Sequence, residues 1–566
     1  MNAGRDQRLE AAEALLNAGR IGQATGALRE LIALEPDLGE AHALLGQAMA
    51  AAGDGAGAEA ALRKALALNP HLPAAATSLA HILTARRAVA EAASLLEPLV
   101  QSPLADAELL NAYGVALRGL GRMDEGIEAH RAAADAAPAI GAYAHNLAGA
   151  LGDAHRFAES EQACERAFAC GLDAPETWLV RGRAYFGLGR LEDAEASFGE
   201  AIRRRPAFAD AHAELAQLIW IRTEDLDRAK AGLDRALADA PADVPLSLAR
   251  AKLVEYATGA EAAYASLATV LEARPGDLQL QVAAALLALR QDAALAMFHA
   301  QKAEAVDPAN GQAAAALCQA NLAIGRPYVA AAIAERLCVE WPLDQHPVTL
   351  AATAWRMLGD PRYHELYDYE RLVRAYPIEA PEGWLSPAAY LADLAEALAP
   401  EPGLKGHPIG QSLRHGVQSN QSLERSENPV IKALFSAVDG PIRSYIDSLR
   451  GHDDVLGRRV KDGYRLAGAW SVRLRPGGSH VNHIHPMGWI SSAFHIVVPP
   501  AVDNGRQGWL KFGEPELPTT PKLEAEHYVK PVAGTLVLFP SYMWHGTVPF
   551  EGEASRLTAA FDALPA

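Results

Sequence analysis

The chain has 566 residues, too many to fold around a single hydrophobic core, so two or three domains are predicted. Its 51 basic and 69 acidic residues give a formal net charge of −18 at pH 7. This charge argues against nucleic acid or an anionic membrane as the main partner, because both demand a cationic protein face.

The start of the chain and its cysteines indicate a compartment. Residues Met1–Glu10 are polar and lack the hydrophobic region of a secretory signal, and no apolar run approaches the roughly 18–20 residues that cross a bilayer. The cysteines form no CxxC pair, so reduced thiols in helices are expected rather than a zinc site or a disulfide framework. They are Cys164, Cys170, Cys318 and Cys338. These features predict a cytoplasmic protein with no membrane partner.

A repeat of about 34 residues dominates the first 342 positions. Prolines recur from Pro36 to Pro342, which are 306 residues apart, or nine steps of 34. Small residues stand twelve positions before most of these prolines, namely Ala24, Ala58, Gly126, Ala194, Ala229, Ala263, Ala296 and Ala330. Two antiparallel helices approach closely only where small residues meet, so this phase predicts helix pairs whose apolar faces are covered by the next pair.

This pattern is typical of tetratricopeptide repeats, and it predicts an α-solenoid over residues 5–342 with about ten repeats. Such an array usually offers a long surface to an extended peptide or a partner protein. The alternative roles are a plain spacer for the C-terminal part of the chain or a dimer contact. The oligomeric state is not indicated by the sequence.

The repeat fades after Pro342, and residues 343–455 are predicted as a helical connecting region that buttresses the last domain. Apolar residues follow helical spacing in Ala388–Ala399 and Pro429–Leu449. The polar stretch Gln411–Leu423 is predicted either as an extended piece near a substrate entrance or as an ordinary packed connection.

Short β-type runs separated by Gly/Pro-rich breaks replace the helical pattern in the last domain, predicted as residues 456–566. This alternation predicts a jelly roll, the cupin-like double-stranded β-helix. The predicted strands are Arg465–Leu474, Ser479–Ile484, Trp489–Val498, Gly508–Phe512, His527–Val529, Thr535–Phe539, Trp544–Val548 and Arg556–Phe561.

Three histidines in this domain form a candidate metal site. Alternate residues of a strand share a face, so His483 and His485 can aim two imidazoles at one point, and His545 can supply a third. Three protein ligands leave positions open on the metal, as in the non-haem iron oxygenases. Imidazole alone also suits zinc, nickel or copper. Arg556 follows, and its planar fork suits the carboxylate of an anionic cosubstrate, with the Thr558 hydroxyl as a second donor.

Two other histidines remain open. His480 is one residue out of phase with His483, which places it at the mouth rather than on the metal. His495 is interpreted either as a structurally satisfied histidine or as an inward acid/base or substrate contact. Weaker candidates for supporting or substrate contacts are Arg473, Arg475, Asn482, Ser492 and Lys511.

The order of short motifs between about Thr353 and Phe561 resembles the C-terminal part of bacterial tetratricopeptide-repeat proteins that carry a 2-oxoglutarate/Fe(II)-dependent oxygenase domain. One departure is Phe494-His495, where the resemblance leads us to expect two tyrosines. The matching motifs are Ala354–Pro361, Tyr367–Glu370, Gln411–Arg414, Trp470–Leu474, His483–Pro486, Gly488–Ser492, Gly508–Pro515, Phe539–Ser541, His545 and Arg556.

The resemblance implies iron at His483, His485 and His545, which would also be the catalytic residues, and 2-oxoglutarate at Arg556 and Thr558. It implies a dioxygenase that hydroxylates a C–H bond, and the repeats would hold a peptide or protein. Here HxH replaces the more usual HxD, which removes a negative charge from the metal. Two alternatives stay open: a non-catalytic scaffold with a degenerate barrel, and a cupin metalloenzyme that does not use 2-oxoglutarate.

Overall fold

The computed structural model describes residues 2–399, 409–419 and 422–566, and it divides the chain into two compact units, residues 1–204 and 205–566. The first unit is entirely helical in its described part, and each helix packs against the next along the chain. Its helices are α1 (Asn2–Asn17), α2 (Ile21–Leu34), α3 (Gly39–Ala51), α4 (Gly55–Leu68), α5 (Pro73–Ala85), α6 (Val89–Val100), α7 (Ala107–Gly119), α8 (Met123–Ala136), α9 (Gly141–Asp153), α10 (Phe157–Ala169), α11 (Pro175–Gly187) and α12 (Leu191–Arg204).

The second unit begins with the same kind of helix pairs. They are α13 (Ala209–Thr223), α14 (Leu226–Asp239), α15 (Val244–Thr258), α16 (Ala260–Ser266), α17 (Ala268–Ala273), α18 (Leu278–Ala288), α19 (Ala293–Val306), α20 (Gly311–Ala323), α21 (Pro327–Glu340) and α22 (Gln345–Leu358). Further helices are α23 (Arg362–Leu366), α24 (Tyr369–Leu372), α25 (Pro387–Ala397) and α26 (Pro429–Leu449), with short 3-10 turns at Leu423–Arg425, Gly457–Arg459 and Pro500–Asp503.

The small residues of the repeat are packing points, as predicted. All eight small residues named above are buried. Packing between paired helices is close: a Cβ placed on Gly182 of α11 would stand 2.5 Å from the Phe198 ring of α12. Glycines form some of the turns between helices, where Gly53 and Gly189 adopt left-handed backbone angles.

The strands form two antiparallel sheets. The larger sheet has the order β1-β7-β4-β9-β3-β2 and the smaller the order β6-β5-β8. The strands are β1 (Arg374–Pro377), β2 (Leu413–Gln418), β3 (Tyr464–His480), β4 (Ile490–Val497), β5 (Leu510–Phe512), β6 (His527–Val529), β7 (Thr535–Pro540), β8 (His545–Thr547) and β9 (Arg556–Pro565). An α-solenoid followed by an antiparallel, cupin-like β domain with buttressing helices is therefore confirmed.

Two details of the predicted strands are wrong. Strand β3 continues to His480 because its end pairs with β2, where Leu413 is opposite His480 and Arg414 is opposite Ser479. Between these pairs and the rest of the β2–β3 ladder the register shifts, and Gly477 has a left-handed φ of 79° there. The predicted strand Ser479–Ile484 is consequently absent as a separate element. In addition, β1 lies in the region expected to be helical and joins the larger sheet, whereas β2 lies in Gln411–Leu423, for which an extended piece was one of the two predicted interpretations. Residues 420 and 421 of the stretch Gln411–Leu423 lie outside the described residues.

Helices hold the sheets from two sides. Helix α26 buries a stripe at helical spacing against the β core, and Tyr445 on that stripe donates to the Leu372 carbonyl oxygen at 2.8 Å. Helix α22 is joined to the β domain by buried side chains: the Trp544 indole N–H donates to the Thr353 hydroxyl at 3.0 Å, and the Thr349 hydroxyl donates to the Tyr542 carbonyl oxygen at 2.7 Å. Helix α22, the last helix of the repeat-like series, therefore packs directly on the β domain.

Two predictions about the whole chain can be compared with the structure. All four cysteines carry free thiols, and burial raises the pKa of Cys164 to about 12. Within the described residues, no helix combines the length and the apolar character needed to cross a bilayer.

Candidate metal centre

The three predicted histidines meet at one point, and backbone hydrogen bonds hold them there. His483 and His545 exchange two bonds, from His483 N–H to the His545 carbonyl oxygen at 2.8 Å and back at 3.1 Å. The N–H of His485 donates to the Ser541 carbonyl oxygen at 3.0 Å. His483 and His485 lie beyond the end of β3, so they do not belong to a continuous strand. A single bridge between His483 and His545 of β8 holds this segment beside the third histidine.

The imidazoles are close enough to share one ion. Each offers a ring nitrogen, and these three atoms all lie within 4.8 Å of one another. The ring centroids of His483 and His545 are 4.1 Å apart, and that of His485 is 5.2 Å from each. This spacing suits three nitrogens around a single metal ion, whose Zn–N bonds, for example, are about 2.0–2.1 Å.

Hydrogen bonds fix the tautomer of each imidazole. The Nδ1 atoms of His483 and His545 each lie 2.9 Å from a backbone carbonyl oxygen, those of Val481 and Met543. The Nδ1 atom of His485 lies 2.6 Å from a carboxylate oxygen of Asp562. A carbonyl or carboxylate oxygen only accepts, so each Nδ1 carries the proton and each Nε2 presents a lone pair. Metal-binding histidines have this arrangement.

Burial keeps two of these histidines neutral. It lowers the pKa of His483 to about 3, with the neighbouring His485 as a smaller cause. Burial likewise holds the pKa of His545 well below its usual 6.5. A metal needs unprotonated imidazoles, so His483 and His545 are already in the charge state that binds an ion.

Asp562 is the residue that the sequence analysis missed. Its carboxylate receives hydrogen bonds from His485 Nδ1 and from the Ser491 hydroxyl, which lies 2.7 Å from Oδ1. Asp562 is on β9, six residues after Arg556, and alternate residues of a strand share a face. An even spacing from Arg556 on the same predicted strand could therefore have indicated that Asp562 faces the site. Asp562 therefore places a negative charge against His485 Nδ1, whereas the HxH pair itself carries no carboxylate.

Arg556 is a buried cation without a counter-ion. Its side chain is 2% exposed, Nη1 donates to the Gly508 carbonyl oxygen at 2.7 Å, and Nε has no hydrogen-bond partner. Among the described residues no carboxylate forms an ion pair with it, and burial lowers its pKa to about 10. An unpaired buried charge is costly, so this site fits an anionic group.

A cavity of about 980 Å³ contains the three histidines, Arg556 and Thr558. Both sheets line it, through β3, β4 and β9 on one side and β5 and β8 on the other. The repeats line it too, with Lys252, Glu255 and Tyr256 of α15 and with Arg290. Arg290 forms an ion pair with Glu516 of the β domain at 2.6 Å. One wall of the cavity therefore comes from the array.

The remaining candidates are distributed unevenly. His480 lines the cavity, and its Nδ1 is 2.9 Å from the Ser412 hydroxyl, outside the group of three. Ser492 lines the cavity, with its hydroxyl donating to the Phe561 carbonyl oxygen. Lys511 forms an ion pair with Glu514 at 2.5 Å. Arg473 donates toward Ser555 and Ala395, and neither it, Arg475, Asn482 nor Lys511 lines the cavity.

Comparison with known proteins covers both parts of the chain. A family model described as "Putative 2OG-Fe(II) oxygenase" matches residues 468–562, and a tetratricopeptide-repeat model matches residues 9–73, 145–198 and 179–244. No curated protein matches the chain.

Three solved structures illustrate the similarity of the repeats. Pseudomonas aeruginosa pilF has 17% identity and a TM-score of 0.34, over 37% of this chain and 96% of that one. A tetratricopeptide repeat protein from Parabacteroides merdae has 15% identity and a TM-score of 0.36, over 44% and 98%. YrrB, a repeat protein with an unusual peptide-binding site, has 14% identity and a TM-score of 0.29, over 33% and 95%.

Proposed function

We propose that this chain, a tetratricopeptide-repeat protein with a C-terminal domain of the 2OG-Fe(II) oxygenase family, is an Fe(II)- and 2-oxoglutarate-dependent dioxygenase. It hydroxylates a peptide or protein that the repeats help to bind. The observation that carries the proposal is the lining of one cavity: three histidines whose ring nitrogens lie within 4.8 Å of one another, and a buried arginine that forms no ion pair with a carboxylate of the described residues.

Each residue of the site has its own task in this reaction. His483, His485 and His545 hold the iron through Nε2 and leave other metal positions open for cosubstrate and oxygen. Arg556 and Thr558 bind the distal carboxylate of 2-oxoglutarate, which supplies the charge that the guanidinium lacks. Iron with 2-oxoglutarate supplies oxidative decarboxylation of the 2-oxo acid, coupled to hydroxylation of a C–H bond.

The shared cavity wall supports a substrate that the repeats position. Helix α15 contributes Lys252, Glu255 and Tyr256 to the lining of the cavity that also contains the three histidines. Repeat arrays bind extended peptides and partner proteins. Contacts remote from the reacting bond place that bond at the metal, so binding by the array favours the reaction as well as recognition.

An anaerobic titration tests the proposed function. Protein loaded with Fe(II) should develop a visible metal-to-ligand charge-transfer band on addition of 2-oxoglutarate, and admission of oxygen should yield succinate. Bound iron without this band would instead indicate a cupin metalloenzyme that does not use 2-oxoglutarate. Failure to bind iron at all would indicate a scaffold with a non-catalytic barrel.

A further inference from the structure

His495 is completely buried in β4, and one of its ring nitrogens has no partner. The side chain is 0% exposed, and Nε2 has no hydrogen-bond partner among the residues that the structure describes. An unpaired buried polar atom destabilises the folded chain, because it has lost its hydrogen bonds to water. The interpretation of His495 as a structurally satisfied histidine therefore fails at this atom.

The neighbour at the other ring nitrogen fixes the tautomer. Nδ1 of His495 lies 3.5 Å from Nη2 of Arg556. A guanidinium has donors and no acceptor, so Nδ1 accepts and the proton resides on Nε2. Burial, followed by the charge of Arg556, holds the pKa of His495 well below 6.5, so the ring is neutral. The unpartnered Nε2 is consequently a hydrogen-bond donor.

Strand register places this donor beside the two predicted cosubstrate residues. His495 pairs directly with Thr558 across β4 and β9, and Arg556 is two residues earlier on β9. Directly paired residues, and residues two apart on one strand, share a face. Arg556, Thr558 and Ala493, which is two residues before His495, all line the cavity. The face that carries His495 is therefore the face that lines the site, although His495 itself is not among the lining residues.

Two buried N–H groups without partners thus belong to adjacent side chains, Nε of Arg556 and Nε2 of His495. No carboxylate of the described residues forms an ion pair with Arg556, so both N–H groups are available to an anion from outside the chain. A carboxylate has two oxygens and about four lone-pair sites, enough for both donors and the Thr558 hydroxyl.

We infer that His495 is a further cosubstrate-binding residue, which donates from Nε2 to the distal carboxylate that Arg556 binds. This inference rests on the proposed function, and it gives a role to the residue at which the chain departs from the tyrosine pair expected from its motifs. The neutral ring adds a donor without placing a second positive charge beside Arg556.

Titration calorimetry with Mn(II)-loaded protein tests the inference without turnover. The probes are 2-oxoglutarate and 2-oxobutyrate, a 2-oxo acid that lacks the distal carboxylate. His495→Phe should weaken 2-oxoglutarate binding roughly 10- to 100-fold, the effect of one hydrogen bond to a charged group, and leave 2-oxobutyrate unchanged. His130→Phe is the matched control, because His130 is also a buried histidine with an unpartnered Nε2, in α8 of the array.

Two amide variants separate contact from positioning, and they remain informative if the phenylalanine variant does not fold. His495→Gln retains a donor near the Nε2 position and should recover most of the affinity for 2-oxoglutarate. His495→Asn retains only an acceptor near the Nδ1 position and should not. Recovery by asparagine rather than glutamine would overturn the inference, because His495 would then act only by holding Arg556.

Arg556→Ala distinguishes this inference from the function on which it rests. Loss of 2-oxoglutarate selectivity in Arg556→Ala, with wild-type selectivity in His495→Phe, would overturn the role of His495 and leave the proposed function standing. A wild-type protein that binds Mn(II) but does not prefer 2-oxoglutarate over 2-oxobutyrate would overturn both.

Discussion

Replacing Asp562 by asparagine should weaken iron binding without touching a ligand. The carboxylate of Asp562 holds the proton on Nδ1 of His485 through contacts of 2.6 and 2.7 Å, and both side chains are only 16% exposed. An asparagine amide can present its NH₂ group to Nδ1. That contact favours the other tautomer, in which Nε2 carries the proton and cannot bind a metal.

The size of the effect can be derived from this contact. Loss of a hydrogen-bonded partner behind a metal-binding histidine typically lowers metal affinity 10- to 100-fold, or about 1.4 to 2.7 kcal/mol. Ser491→Ala removes a hydroxyl that donates to Asp562 and also lies 2.8 Å from the Ser541 hydroxyl. Its effect on iron affinity should be at most about threefold, since the carboxylate and its charge remain. His483 and His545 have backbone partners at Nδ1, so no side-chain change of this kind applies to them.

Anaerobic competition against an Fe(II) chelator measures these affinities. Asp439→Asn serves as the control, because Asp439 also accepts two side-chain hydrogen bonds, from Tyr464 and Arg443, and does not line the cavity. Its affinity should equal that of wild type. If Asp562→Asn bound iron as tightly as wild type while His485→Ala lost it, the carboxylate would not set the state of His485, and this reasoning would be refuted.

Four other perturbations have defined outcomes. Alanine at any one of the three ligands should remove most bound iron, measured by metal analysis, with an unchanged helical circular-dichroism signal; the ligands are His483, His485 and His545. Arg556→Ala should retain iron yet raise the 2-oxoglutarate concentration required for succinate formation steeply, because a charged contact is lost; unchanged saturation would contradict its role. Thr353→Val leaves the Trp544 indole N–H unpaired and should lower the free energy of unfolding by about 1–3 kcal/mol in urea titrations followed by tryptophan fluorescence, and no change would argue against that buried bond. Burial lowers the pKa of His130 to about 4, below its value in the unfolded chain, so the unfolded state takes up the proton first as the pH falls. The contribution of His130 to the free energy of unfolding is therefore complete above pH 6.5 and falls by roughly 3 kcal/mol between pH 7 and pH 4. His130→Gln should remove that part of the pH dependence of unfolding.

The array could be predicted from sequence because its contacts are local. Each repeat packs against its neighbours, so the small residues that recur every 34 positions, such as Ala24 and Ala58, indicate the buried contacts directly. The bounds of α26 were predicted for a related reason, since its apolar stripe has helical spacing and it packs on one side only. The divisions between domains at residues 342 and 455 stay predictions.

The parts that could not be predicted depend on distant pairing. Strand β1 pairs with β7, more than 150 residues later, and nothing near Arg374–Pro377 specifies that partner. The three histidines could be predicted because His483 and His485 are separated by one residue and His545 follows an apolar run typical of a strand. Asp562 was missed because its partner, His485, is 77 residues away and a lone aspartate near the end of a strand resembles a surface residue. The position of α15 in the cavity wall could not be predicted from the sequence either, because it depends on contacts between residues far apart in the chain.

The repeat that contains α15 has a consequence for how such chains can change length. Repeat arrays commonly gain and lose units by duplication and deletion, because each unit contacts only its neighbours. An inserted or deleted repeat between α15 and α22 would move Lys252, Glu255 and Tyr256 away from the histidines, since α22 is fixed to the β domain through Thr349 and Thr353. The array residues that line the cavity all belong to the second unit, from α15 onward. We therefore expect related chains to vary in the number of repeats before α13. The number of residues between α15 and the histidine that corresponds to His483 should stay constant.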